Sequence, residues 1–406
     1  MSSEFTAEFF RANREKLRTL FTGTAPIVLT ANGLMQRSTD TAYPFKQDSS
    51  FWYLTGIDEP NIVLVMDRAR EYLIVPELSP TRVAFDGAID VNKLIATSGI
   101  SDVTNEKEGW KRLETRLKKV TNLAVVSPAP AYIETIGMYT NPARARLSKD
   151  IKSINPDLTL LDLRQHIGRM RMVKGPEELA TLKKSIDTTV KALQKVHRKF
   201  VKKQYSNEYE IELDLTREFW RKGASGHSFE PIVAAGKKAA TIHPTGNNGE
   251  VVYDEPLLLD VGAEHNHYAA DISRTWMIQP TKRFGAVYNS VKEVADYAMS
   301  ILKPGVIIRD YEKQVESHMG EKLRELGLIK TIDHDSVRQY FPHATSHFLG
   351  IDVHDVGDYD RPLEPGVVMT VEPGIYIPEE GIGVRIEDDV LITQKGSKNL
   401  SGNLVR

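Results

Sequence analysis

The chain has no cysteine among its 406 residues. Disulfides, thiolate zinc sites and a cysteine nucleophile are therefore excluded. It also lacks an excess of either charge, with 53 Lys and Arg against 55 Asp and Glu and a formal net charge of −2. With no global basic field, no nucleic-acid partner is expected. No apolar run approaches the roughly 18 residues of a membrane-spanning helix, so no membrane association is expected. Met1 to Arg11 does not follow the charged-then-apolar order of a secretory signal, and a cytoplasmic enzyme is expected. A Gly-x-Ser-x-Gly elbow, a Gly-rich loop ending in Gly-Lys-Ser/Thr and a His-Glu-x-x-His helix are all missing. Low-complexity segments and short-period repeats are missing too. The basic run Lys191 to Lys203 reads as a solvated helix end rather than a nucleic-acid patch.

What is present is ordinary globular material, 41% hydrophobic and 27% charged. The length exceeds one core, so two domains are expected. Strand candidates at Pro26–Thr30, Asn61–Met66, Glu71–Val75 and Asn122–Val126 alternate with helical stretches. They make residues 1–156 an α/β domain, with Asn155-Pro156 as the linker to a second domain, 157–406. That second domain runs helix, helix, hairpin, and then repeats the order. Its helices are expected near 176–200, 207–222, 285–302 and 310–326.

The two hairpins carry the informative residues. Leu257 to Trp276 reads as two strands joined by a polar turn centred between His265 and Asn266. In that register Asp260 and Asp271 face each other, where like charges repel. Asp260 ends the apolar run Leu257-Leu258-Leu259, so the pair is expected to be buried and to need a proton or a cation. Val367 to Thr393 forms the second hairpin, with its turn at Pro378-Glu379-Glu380-Gly381. There Glu372 and Glu387 are symmetric about the turn. Two facing acid pairs are hard to explain as surface charge.

Four of the 11 histidines lie in the segments leading into these hairpins. His243 precedes the first, and His343, His347 and His354 precede the second. They cannot all be ligands, so some are expected to bind substrate or support the ligands. Four carboxylates with one or two imidazoles make a mostly oxygen set. It suits Mn²⁺, Co²⁺ or Fe²⁺ more than a closed tetrahedral zinc. The acids supply about −4 charge, enough for two divalent ions, and hydrolysis is the natural reaction class.

At this point the chain resembles a known family. Asp260 and Asp271, His347 in Ser-His-Phe-Leu-Gly, Glu372 in Val-Glu-Pro-Gly and Glu387 in Arg-Ile-Glu-Asp look like the five ligands of the pita-bread metallopeptidases. Asp-Val-His-Asp-Val-Gly at 352–357 and Tyr-Pro-Phe-Lys-Gln-Asp-Ser-Ser-Phe-Trp-Tyr-Leu-Thr-Gly at 43–56 narrow the likeness to aminopeptidase P, the Xaa-Pro aminopeptidases. The resemblance implies an α/β (α+β) fold. A creatinase- and prolidase-like N-terminal α/β domain would precede a C-terminal pita-bread domain built of pseudo-twofold half-repeats. It further implies two divalent metal ions, Mn²⁺ first, with Co²⁺, Fe²⁺ or Zn²⁺ as alternatives. Asp260 and Asp271 would bind one, while Asp271, His347, Glu372 and Glu387 complete the other. A hydroxide between the ions would attack the carbonyl before proline, with Glu372 as proton acceptor. His354 and His243 would hold substrate carbonyls, His343 would line the proline subsite with apolar neighbours such as Phe348, Arg385 would orient the acids, and Arg361 would contact substrate. The implied substrates are peptides with proline second. The implied assembly is a homodimer or homotetramer that uses the N-terminal domain, which would also close the substrate groove. Prolidase, restricted to dipeptides, is the alternative. A metal-free pita-bread binding protein is the rival from another class, and the intact donor set argues against it.

Overall fold

The computed structural model describes residues 5–68, 70–129 and 132–404. The chain divides into two compact units, Met1–Met170 and Arg171–Arg406. The division falls later than the linker expected after Pro156. The reason is a strand: Thr159–Asp162 pairs in parallel with Asn122–Val125 and so completes the sheet of the first unit. Among the described residues no helix is long and apolar enough to cross a membrane.

The first unit is a six-stranded mixed sheet. Its order is Val103–Asn105, Glu71–Val75, Val63–Met66, Ile27–Thr30, Asn122–Val125 and Thr159–Asp162. The central strands are aliphatic because both faces are covered. Leu113, Leu117, Leu147 and Ile151 bury one face against Val28, Val65, Ile74 and Val125. The aromatic helix Ser49–Thr55 starts at Asp48, whose carboxylate accepts from Ser50 N and Phe51 N, and stops at Gly56 with φ of +70°. Helix Ala7–Leu20 is pinned beside it by Arg14, which is fully buried. Arg14 Nη1 donates to Leu54 O at 2.8 Å, and its Nε and Nη2 donate to Glu71 at 3.1 and 2.8 Å.

A stability prediction follows from that pair. Burial pushes the Glu71 carboxyl up, but Arg14 and Arg18 outweigh it and hold the group below its ordinary value. Its contribution is therefore present above the unfolded glutamate pKa and is lost as pH falls through the lower folded value. Glu71→Gln should cost roughly 3 kcal/mol at neutral pH, because it strands a buried guanidinium. Denaturant unfolding should show that gap narrowing below about pH 4.

The second unit follows the expected plan of paired helices and hairpins. Helix Pro176–Val201 opens with proline in its first turn and buries Leu182, Ile186, Leu193, Val196 and Phe200 on one face. Glu208–Arg221 follows, capped by Asn207, whose side chain accepts from Glu210 N. Strands Ile232–Ala235, Leu257–Val261 and Ile272–Trp276 then form one small sheet. Helices Lys282–Ile301 and Ile308–Glu325 begin the second half. Its strands are Val368–Val371, Gly374–Ile377, Ile382–Arg385, Asp388–Ile392 and Ser397–Asn399. Val291, Val294, Tyr311, Val315, Met369 and Val390 belong to the core that joins those helices to those strands.

The two hairpins differ in how well their sequences announce them. In the second, Gly374 pairs with Arg385 and Val371 with Asp388, so one register runs through Glu372 and Glu387 as expected. In the first, Asp260 pairs with Ser273, not with Asp271. The turn lies one residue later than its composition suggests. Asn266 and His267 both take positive φ, +43° and +69°, and His265 pairs with Tyr268 across them. Positive φ at both central residues is the geometry of a two-residue type I′ hairpin turn. Moving the turn by one residue moves each partner by two. The side-chain face is therefore kept, and Asp271 stays diagonal to Asp260 on the same face.

Candidate metal centre

All five sequence-predicted ligands converge. Asp260, Asp271 and Glu387 each offer an oxygen within 4.8 Å of the others, and His347, Glu372 and Glu387 form a second such group that shares Glu387. His347 Nε2 lies 3.5 Å from Asp271 Oδ2 and 3.3 Å from Glu372 Oε1. Its other nitrogen is 3.0 Å from Phe348 O. Nδ1 therefore carries the proton and donates to that carbonyl, leaving the Nε2 lone pair aimed at the acids.

The electrostatics identify what the arrangement wants. Burial first, then neighbouring carboxylates, push Asp271 and Glu387 well above the ordinary carboxylate range. Burial also lifts Glu372, to about 7, against the pull of His347 and Arg385. Asp260 Oδ1 and Asp271 Oδ1 are buried with no hydrogen-bond partner. Buried oxygens that are both crowded by like charge and unpaired fit divalent cations, and hard oxygen donors with one imidazole suit them chemically.

Residues around the acids hold them in place. Arg385 Nη2 donates to Asp260 Oδ2 at 2.8 Å, its Nε to Ser273 Oγ at 2.8 Å and its Nη1 to Tyr376 Oη at 2.7 Å. Ser273 Oγ in turn donates to Glu387 Oε2 at 2.6 Å. His343 Nδ1 sits 2.9 Å from Ala344 O and Nε2 sits 2.9 Å from Tyr376 Oη. Tyr376 therefore accepts from Arg385 and donates to a neutral His343. Burial, with Arg385 nearby, takes the His343 pKa down to about 3. The Thr370 hydroxyl donates to Glu372 Oε1 at 3.2 Å.

The remaining predicted residues divide. The His354 ring packs edge-on to His347, with centroids 4.3 Å apart, and its nitrogen also lies within 4.8 Å of ligand atoms of Asp271 and His347. It has an open side, yet the protein packed round its other faces, with His347 and His243, lowers its pKa to about 4. His243 is exposed and lies near enough to lower both His343 and His354. Arg361 is half exposed and pairs with Glu364 at 3.5 Å. Phe348, expected to wall the proline subsite, is instead fully buried in the core against Tyr359. Alternation along an extended segment explains this: Phe348 bridges to Met369, His347 is its neighbour, so the two point to opposite sides, and His347 takes the side of the acids.

Sequence reasoning missed several members. Tyr376 joins Arg385 to His343, and Ser273 joins Arg385 to Glu387. Arg274, fully buried, donates to Asp388 Oδ1 at 2.7 Å and to Glu387 O at 2.6 Å. Asp389, also fully buried, accepts from Asp271 N at 3.3 Å. The signal for the last two was present in the run Glu387-Asp388-Asp389 at the head of an aliphatic strand, where three successive acids cannot all face water.

Comparison with known proteins places the chain in a metallopeptidase family. Residues 180–394 match metallopeptidase family M24, and residues 10–126 match the aminopeptidase P N-terminal domain. The Xaa-Pro aminopeptidase of Escherichia coli K12 is 32% identical, covering 100% of this chain and 97% of its own length. Human Xaa-Pro aminopeptidase 3 is 31% identical, covering 93% of this chain and 78% of its own length. Among solved structures, an aminopeptidase P from Bacillus anthracis superposes with a TM-score of 0.89 at 30% identity, covering 99% of this chain and 96% of that one. Aminopeptidase P from E. coli in a low-pH form superposes at 0.84 and 31%, covering 100% and 97%. A zinc-substituted E. coli aminopeptidase P with product bound is similarly close, at 0.84 and 30% identity over 100% of this chain and 97% of that one. The mixed α/β architecture is thus that of an aminopeptidase P N-terminal domain followed by a pita-bread domain, and the chain belongs to metallopeptidase family M24, in its aminopeptidase P (Xaa-Pro aminopeptidase) branch.

Proposed function

We propose that the enzyme releases the first residue from peptides with proline second, using two divalent ions, Mn²⁺ foremost, held by Asp260, Asp271, His347, Glu372 and Glu387. The observation that carries the reading is the convergence of these five donors around unpaired buried oxygens. When bound, such a metal pair supplies a nucleophile at neutral pH and polarises the scissile carbonyl. Glu372 accepts a proton and returns it to the proline nitrogen as the bond breaks. His354 and His243 donate to substrate carbonyls; at neutral pH His354 does so as a neutral imidazole, so it adds no positive charge to a cationic centre. His343, kept neutral by burial and oriented by the Arg385–Tyr376 chain, offers an uncharged edge to the proline ring.

Full-length similarity to Xaa-Pro aminopeptidases favours this over a dipeptidase. The test is a panel of Xaa-Pro-Xaa tripeptides and Xaa-Pro dipeptides, assayed after chelation and readdition of Mn²⁺, Co²⁺ or Zn²⁺. Tripeptide turnover should vanish on chelation and return best with Mn²⁺. Preference for the dipeptides would make the protein a prolidase, and turnover untouched by chelation would remove the metals from the mechanism.

A further inference from the structure

Apart from the acid clusters, the second unit buries charges that none of the steps above uses. Arg171, Lys174 and Asp355 are 2%, 4% and 6% exposed. Arg171 Nη2 donates to the Asp355 carboxylate and, at 2.8 Å, to Asp352 Oδ2. Lys174 Nζ stands 3.9 Å from Asp355 Oδ2. Buried ion pairs are often replaceable by apolar residues without loss of stability, so their presence asks for a reason other than stability.

The loop around them supplies one. Asp355 N donates to Phe348 O at 2.8 Å, closing the loop, and Asp355 Oδ1 accepts from Val356 N at 2.9 Å. A Cβ on Gly350 would lie 2.0 Å from Asp355 Oδ2, so the loop is shaped to admit that carboxylate. The residue just before Asp355 is His354, whose ring the loop places 4.3 Å from that of His347. Arg171 and Lys174 come from a different part of the chain, the segment leading into helix Pro176–Val201. They tie the loop to an element that the loop's own backbone does not control.

We propose that Asp355, clamped by Arg171 and Lys174, is a positioning residue that aims His354 at the substrate carbonyl. The inference rests on the role given to His354 above. Two variants perturb the clamp in opposite ways: Asp355→Asn removes a charge and keeps the shape, while Gly350→Ala keeps every charge and displaces the carboxylate. Each is made alone and with His354→Ala in the full chain, and kcat, KM, bound metal and thermal unfolding are measured. His354→Ala alone should lower kcat by roughly 10²–10³. Each clamp variant should lower kcat by about 100-fold, with bound metal and cooperative unfolding retained. Added to His354→Ala, each should cost less than about threefold more, because the side chain it aims is gone. Multiplying losses in the double variants would overturn the inference. So would loss of metal, or loss of cooperative unfolding in both clamp variants, since the cluster would then serve the fold rather than His354. A His354→Ala enzyme with normal kcat would instead sink the role assigned to His354, and this inference with it.

Discussion

Replacing Glu387 by Ala should remove at least one metal ion and nearly all turnover. Glu387 belongs to two of the groups of converging donors, with Asp260 and Asp271 on one side and His347 and Glu372 on the other. It is 2% exposed, it accepts from Ser273 Oγ, and its backbone N donates to Ser273 O at 3.1 Å. Its position is therefore fixed from outside the metal site, and a shorter side chain cannot move in to replace it. The loss should exceed the roughly 10–100-fold that changing an outer hydrogen-bond partner costs. Folding should survive. In the metal-free protein Glu387 belongs to a crowded set of acids, so the change relieves that crowding, and the partner it leaves, Ser273 Oγ, still accepts from Arg385 Nε. Elemental analysis of the purified variant, with turnover measured at saturating Mn²⁺, checks both halves. Two ions per chain with normal turnover would refute the assignment.

Substrate changes should be as decisive as changes to the protein. A peptide bond to proline has no N–H to grip, so recognition must come from the shape of the ring. Replacing the second-position proline by alanine should cost most of the activity, and acetylating the amine of the first residue should cost nearly all of it. The second effect is expected because that amine would lie beside the metals and their acids, where an uncharged acetamide gains nothing and needs room. His343 is the residue proposed to meet the ring: it is uncharged, partly exposed and fixed by Tyr376. Efficient cleavage of the alanine peptide would remove the proline pocket. Efficient cleavage of the acetylated peptide would make the enzyme an endopeptidase. Because the two substitutions probe different ends of the dipeptide unit, either expectation can fail while the other holds.

The two acid pairs were legible in the sequence because strands alternate faces with a period of two. Acids placed symmetrically about a turn must share a face, whatever the rest of the chain does. That is why a first-hairpin turn misplaced by one residue did not separate Asp260 from Asp271: the error shifted the partner by two and preserved the face. It is also why the second hairpin held its register through Glu372 and Glu387. The helices were legible for the same kind of reason, from their apolar period and from capping residues such as Asn207 and Pro176.

Phe348 marks where that reasoning ends. A large apolar residue beside a candidate ligand can wall a pocket or fill the core, and only the direction of the extended segment that carries it decides which. The boundary between the units was equally out of reach, because Thr159–Asp162 is short and joins its sheet through a parallel partner 37 residues earlier. The supporting contacts were hidden for a related reason. Arg274 reaches Asp388 across 114 positions, and Arg171 reaches Asp355 across 184. No local period records such pairings. Sequence alone placed the two acid pairs, because local backbone geometry puts each on one face, and the family resemblance singled out His347 among the four histidines. The tertiary structure decided which charges hold those atoms still, because pairing across long separations depends on how the elements pack and not on their own periods.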